Sequence, residues 1–162
     1  LHPFGQPFTD EVGSNVHSQF DFAEETTQLA SSLEAVIPIF ETARSNSASS
    51  SSGSDVMQLC FIISDAKLDS DNRGSLQTLI REMTEKHILV VLVVLDLSKN
   101  PNDSILNTKS VEFTPNGKLV TKSYLDNFPF PYYLAIQKVE SLPDILVDTI
   151  KQWFELINSN LK

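Results

Sequence analysis

The most constraining feature of the sequence is an unbroken apolar run, Ile-Leu-Val-Val-Leu-Val-Val-Leu, at residues 88–95. A membrane-spanning helix needs about 20 apolar residues, so this shorter, β-branched run predicts a strand buried on both faces. Residues 56–64 predict a second such strand, and residues 73–86 between them have helical periodicity. The inward positions of that helix are Leu76, Leu79, Ile80 and Met83. Strand, helix and strand in this order predict a parallel βαβ unit in an α/β protein.

The region before this unit predicts two helices. Residues 9–19 favour a short first helix, and residues 27–44 favour a longer one with a Thr as N-cap and a possible kink at Pro38. Its apolar stripe consists of Leu29, Leu33, Val36, Ile37 and Phe40. Seven of the ten residues at 45–54 are serines, which predicts a flexible surface loop.

The region after the βαβ unit predicts a hairpin, a strand and a helix. The turn sequence Pro-Asn-Gly at residues 115–117 separates two short segments, 110–114 and 118–124, that we expect to pair. Residues 132–137 predict a last strand, and residues 143–158 predict a closing helix. We expect its apolar face to carry Leu146, Ile150, Trp153, Phe154 and Ile157, with Trp153 in the core.

Composition limits the function classes. With 162 residues and 41% hydrophobic content, one domain over residues 1–162 is the simplest expectation. Twelve basic against 21 acidic residues give a net charge of −9, without the basic stripe that direct nucleic-acid binding needs. The single cysteine, Cys60, lies in an apolar run and predicts a buried hydrophobe, which fits a reducing compartment. The first residue is Leu and no signal-peptide pattern follows, so we expect a fragment of a soluble protein that does not enter a membrane.

Two acidic residues stand where the predicted parallel strands end. Asp65 follows the first strand and Asp96 the second, and ligands collect at this edge of open α/β sheets. Each could supply a hard oxygen to Mg²⁺, or simply form a turn. The five glycines are too scattered for a phosphate-binding loop, the three histidines lack metal-ligand spacing, and no nucleophile elbow is present. These absences predict a binding protein rather than an enzyme.

One distinctive segment is Ser-Tyr-Leu-Asp-Asn-Phe-Pro-Phe-Pro-Tyr-Tyr-Leu at residues 123–134. Six others are Leu-His-Pro-Phe at 1–4, Pro-Phe-Thr-Asp-Glu at 7–11, Phe-Asp-Phe at 20–22, Phe-Ile-Ile-Ser-Asp at 61–65, Leu-Pro-Asp at 142–144 and Gln-Trp-Phe-Glu-Leu at 152–156. These segments closely resemble, in the same order, the C-terminal end of the midasin family of dynein-like AAA+ ATPases. The resemblance implies a von Willebrand factor A-type fold, a mostly parallel sheet flanked by helices, with a metal-ion-dependent adhesion site.

In that family, Mg²⁺ is held by an Asp-x-Ser-x-Ser loop after the first strand, a Thr from a second loop and an Asp after the fourth strand. By position, Thr27 resembles the second-loop Thr, with Thr26 a near rival, and Asp65 resembles the fourth-strand Asp. The chain contains no Asp-x-Ser-x-Ser sequence, so we expect the family's first strand to be missing and the metal site to be incomplete. We therefore expect the segment alone to be metastable, with an open strand edge, and to bind Mg²⁺ weakly or not at all.

The resemblance also implies a function. Midasin-like ATPases act in the nucleolus and nucleoplasm, where they remove assembly factors from pre-60S ribosomal particles. Their metal site grips the ubiquitin-like domain of a WD-repeat assembly factor through an acidic side chain. ATP is used only by modules elsewhere in the parent protein, so we expect no enzyme activity here. The alternatives are a receiver- or flavodoxin-like domain that binds phosphate or flavin between Asp65 and Asp96, and an adhesion-type A domain.

Overall fold

A computed structural model of the chain describes residues 2–3, 5–20, 28–48, 56–68 and 73–160. The chain divides into two compact units, Leu1–Gln58 and Leu59–Lys162. The first contains two helices, α1 (Asp10–Ser18) and α2 (Leu29–Ala48). The second contains the strands and the other two helices.

Helix α1 confirms the prediction for residues 9–19. Thr9 precedes it in an extended conformation, and its hydroxyl accepts a hydrogen bond from the Val12 amide at 3.3 Å. Asp10 and Glu11 occupy the first turn, where carboxylates interact favourably with the helix dipole.

Helix α2 is longer than predicted. It passes through Pro38 and continues to Ala48, so the predicted loop at residues 45–54 is wrong for residues 45–48; residues 49–55 lie outside the described part. In this extension the Ser45 hydroxyl donates to the Glu41 carbonyl at 3.0 Å, so the serine side chain has a hydrogen-bond partner within the helix. The buried positions, from the predicted stripe, are Leu33, Ile37 and Phe40.

A three-stranded parallel sheet forms the centre of the second unit and shows the α/β fold expected of a von Willebrand factor A-type domain. Its strands are β1 (Gln58–Ser64), β2 (Ile88–Leu95) and β5 (Tyr133–Ile136), in the order β1-β2-β5. Strands β2 and β5 run parallel, with Leu92 aligned to Tyr133 and Leu95 to Ile136. Helix α3 (Arg73–Glu85) packs against β2 and buries the four predicted residues. The βαβ prediction is confirmed.

Strand β1 is less buried than the sequence predicts. Its residues are only half-buried, and the Ile63 side chain is 50% exposed, whereas β2 is buried over most of its length. Among the described residues β1 pairs with β2 alone, so it is an edge strand. An apolar pattern cannot distinguish a central from an edge strand, since position in the sheet depends on which other segments pair with it.

Strands β3 (Lys109–Phe113) and β4 (Leu119–Ser123) form the predicted antiparallel hairpin, with Phe113 opposite Leu119. The Gly117 amide donates to the Thr114 carbonyl at 2.8 Å, and the Thr114 amide donates to Lys118 at 2.9 Å. Gly117 has φ +73°, the left-handed conformation that closes a three-residue hairpin loop.

Helix α4 (Leu142–Asn160) buries only part of the predicted face, with Leu146, Trp153 and Ile157 half-buried. Ile150 and Phe154 are exposed, while Ile145, Thr149 and Trp153 line a cavity of about 450 Å³ beside β2. Trp153 is therefore half-buried rather than in the core, although its Nε1 is buried and finds no hydrogen-bond partner among the described residues. Nowhere in the described ranges does a helix reach the length and apolarity that crossing a bilayer requires.

Candidate metal-binding site

The two acidic residues singled out by sequence follow neighbouring strands of the sheet. Asp65 comes directly after β1, and Asp96 directly after β2. The structure places the two side chains in different surroundings. Asp65 is exposed, whereas Asp96 is only 6% exposed.

Asp96 forms hydrogen bonds that stabilise its own loop. The Ser104 hydroxyl donates to its Oδ2 at 2.5 Å, and its backbone amide donates to the Ile136 carbonyl at 2.9 Å. The Ser104 oxygen also accepts from the Leu106 amide at 3.3 Å. Of the two roles left open for Asp96, this burial against Ser104 favours the turn-forming one over that of an open Mg²⁺ ligand. This burial also counts against a phosphate or flavin cleft lined by Asp96.

Asp65 has a carboxylate that remains available. Its Oδ1 accepts a long hydrogen bond from the Lys67 amide at 3.3 Å, and its Oδ2 lies 3.8 Å from Lys67 Nζ. An exposed ion pair of this length contributes little binding energy. The next residue, Ala66, is fully buried with φ +59°, and its amide donates to the Ser64 hydroxyl at 3.2 Å. The backbone thus turns sharply after β1 and leaves the Asp65 side chain outward.

The oxygen atoms at this turn are of the chemical type that Mg²⁺ binds, because Mg²⁺ prefers carboxylate and hydroxyl oxygens and retains several waters. Asp65 would supply the carboxylate. Across the described ranges, no three His, Cys, Asp or Glu side chains gather closely enough to hold a metal. Thr27 and its rival Thr26 lie outside the described residues, and their role as a ligand stays a prediction.

Sequence reasoning missed Tyr124 as a residue of this site. Its hydroxyl forms hydrogen bonds with the backbone of residues 66–68, directly after Asp65. Tyr124 belongs to the aromatic segment that carries the family resemblance, but 58 residues separate it from Ala66. No spacing rule brings such distant residues together.

No protein-family profile matches the chain. It is 35% identical over 159 residues to midasin of Dictyostelium discoideum, and 32% identical over 162 residues to midasin of Giardia intestinalis. Each similarity covers 98% of this chain, and the chain spans about 3% of the length of these curated relatives. Over nearly its whole length, the chain is therefore homologous to a short segment of midasin.

Proposed function

We propose that the chain is a protein-binding, metal-ion-dependent adhesion domain of a midasin-like nuclear AAA+ chaperone. The parent would remove assembly factors from pre-60S ribosomal particles by gripping their ubiquitin-like domains. The observation that carries the proposal is the exposed Asp65 carboxylate directly after β1, in a chain similar to midasin over 98% of its length. Supporting it, the contacts of the Asp65 carboxylate with described residues are long ones with Lys67.

In this proposal Asp65 holds Mg²⁺, together with Thr27 by the family resemblance. When bound, the metal supplies an open coordination position for an acidic side chain of the partner. Asp65 remains able to bind because it is exposed and its Oδ1 accepts only a long hydrogen bond from the Lys67 amide, whereas the Asp96 carboxylate is buried and bonded to Ser104. We assign no ATP hydrolysis to these residues, and place that reaction in other modules of the parent polypeptide.

The hairpin is proposed to shape partner specificity, together with the loop at residues 96–107. On one face of the hairpin, Val111, Phe113 and Leu119 are exposed, and the Phe113 ring is 75% exposed. Exposed aromatic and aliphatic side chains that cluster on one surface commonly mark a protein-binding site.

The test is isothermal titration of an acidic ubiquitin-like partner domain into two proteins. One is this chain, and the other is the chain extended at its N-terminus by a family segment with the Asp-x-Ser-x-Ser loop. Each is titrated with Mg²⁺ and with EDTA. We expect binding only by the extended protein and only with Mg²⁺. In that protein, Asp65→Asn should lower the affinity by at least about 100-fold, because a ligand should matter at least as much as its supporting residues.

The matched control is Asp144→Asn, which removes an exposed carboxylate from the first turn of α4 and should leave metal-dependent binding unchanged. Equal binding by the unextended chain in EDTA would show that the metal interpretation is wrong. The partner would then contact the hairpin and loops directly.

A further inference from the structure

The loop that carries Asp65 is not stabilised by its own residues alone. Ala66 adopts φ +59°, a conformation that costs energy for a residue with a Cβ, and it is fully buried. Within the loop, the described hydrogen bonds are the long contact from Lys67 to Asp65 and the bond from Ala66 to Ser64. A strained turn of this kind persists only when surrounding groups hold it.

Tyr124 supplies that support from a distant part of the chain. Its hydroxyl oxygen accepts a hydrogen bond from the Leu68 amide at 2.9 Å. The same hydroxyl lies 3.0 Å from the Ala66 carbonyl and 3.4 Å from the Leu68 carbonyl. Because a phenol has one hydrogen, it donates to the nearer carbonyl, that of Ala66. One side chain therefore bonds to both ends of the segment that follows Asp65.

The Tyr124 ring is itself held in place. The Arg73 guanidinium lies over the ring at 4.4 Å, and the Phe128 ring centroid is 6.0 Å away. Phe128 in turn packs against Phe130 at 5.6 Å and against Tyr133 of β5 at 5.4 Å. The aromatic segment that carries the family resemblance thus forms a continuous series of ring contacts from β5 to the Asp65 loop.

The backbone at Tyr124 is fixed as well. The Tyr124 amide donates to the Thr108 carbonyl at 2.9 Å, where the chain enters the hairpin. A capping box follows, in which Ser123 and Asp126 exchange side-chain and backbone hydrogen bonds. The hydroxyl therefore approaches the loop from a rigid base, as a residue that orients a metal ligand must.

We propose that Tyr124 is a positioning residue for the Asp65 site. It fixes residues 66–68 and so keeps the Asp65 carboxylate at the end of β1, without contacting the metal or the partner. The inference rests on the proposed function, because it concerns the same metal site.

The test uses Tyr124→Phe, which removes the hydroxyl but keeps the ring and its contacts with Arg73 and Phe128. The matched control is Tyr132→Phe, which removes the hydroxyl of an exposed tyrosine. Both changes are made in the chain and in its extended version.

The first measurement is amide hydrogen exchange with EDTA and no partner. We expect Tyr124→Phe to accelerate exchange at Leu68 by about tenfold or more, with no change at the Asp96 amide, which is bonded to Ile136.

The second measurement is titration of the ubiquitin-like domain into the extended chain. We expect Tyr124→Phe to weaken Mg²⁺-dependent binding by about 10–100-fold, as for other residues that orient metal ligands, and Tyr132→Phe to have no effect. Unchanged exchange at Leu68, unchanged affinity, or an equal loss in the control overturns the proposal. If the extended chain without substitutions shows no Mg²⁺-dependent binding, the proposed function fails. Accelerated exchange at the Leu68 amide would then still show, independently of metal binding, that the Tyr124 hydroxyl stabilises residues 66–68.

Discussion

At the residue scale, two residues other than glycine adopt the left-handed conformation in the described part of the chain, Ala66 and His87. Ala66 is buried beside the candidate metal ligand, and Tyr124 holds its carbonyl. His87 is exposed and ends α3, where its amide donates to the Thr84 carbonyl at 3.0 Å. It stands where helices most often have Gly.

His87→Gly should stabilise the protein by roughly 0.5–1 kcal/mol, because Gly adopts a positive φ without the steric cost of a Cβ. The backbone hydrogen bond to Thr84 would remain. The measurement is the free energy of unfolding in denaturant, compared with His87→Ala. The alanine variant also loses the imidazole but keeps the Cβ, and should show no gain. Equal free energies of unfolding for His87→Gly and His87→Ala would contradict the explanation that a Cβ costs energy at this positive φ.

Cys60 illustrates how burial determines reactivity at this scale. Burial raises the pKa of the Cys60 thiol above its ordinary value, because the charged thiolate is poorly solvated inside the protein. The thiol therefore stays neutral at physiological pH. This agrees with the sequence-based interpretation of Cys60 as a small apolar residue rather than a reactive one.

At the element scale, the hairpin depends on one glycine. Gly117 has φ +73° and donates to Thr114, and a Cβ at this position would meet no atom within 4 Å. A substitution there is therefore strained by the backbone conformation and not by crowding.

Gly117→Ala should destabilise the hairpin by about 1 kcal/mol, the cost of a left-handed conformation for alanine. The measurement is amide exchange across β3 and β4. The matched control is Gly74→Ala, since Gly74 lies in α3, has ordinary helical φ and also has space for a Cβ. That change should stabilise the protein by roughly 0.5 kcal/mol through helix propensity. If Gly117→Ala and Gly74→Ala had the same effect on stability, the positive φ of Gly117 would not be the cause.

At the scale of the whole molecule, β1 is one of the two edge strands of the described three-stranded sheet. Its apolar side chains are half-buried and, among the described residues, one of its edges has no strand partner. Exposed apolar edge strands promote pairing between chains. The net charge of −9 opposes such association only at short range, because salt at about 0.1 M screens charge repulsion beyond about 10 Å.

We expect the isolated chain to associate at higher concentration, and Ile63→Lys to reduce this association by placing a charge on the edge strand. Light scattering over a concentration series measures the effect. Ile39→Lys is the matched control, because it changes an equally exposed isoleucine of α2 and alters the net charge by the same amount. A chain that remains monomeric throughout the series would contradict the prediction, and so would equal effects of the two substitutions.

The sequence alone determined the elements whose signals are local. The bounds of β2, the inward face of α3 and the hairpin turn at residues 115–117 follow from apolar periodicity and from turn residues with defined backbone preferences. The sequence also indicated the acidic residues after β1 and β2, because parallel strands end at a common edge.

Only the tertiary structure decided what depends on distant partners. It shows that the Asp96 carboxylate accepts a hydrogen bond from Ser104, and that Trp153 lines a cavity instead of filling the core. It also brings the Tyr124 hydroxyl to the loop after Asp65. Periodicity reports which face of an element is apolar, whereas burial and hydrogen-bond partners depend on which segments pack together in space.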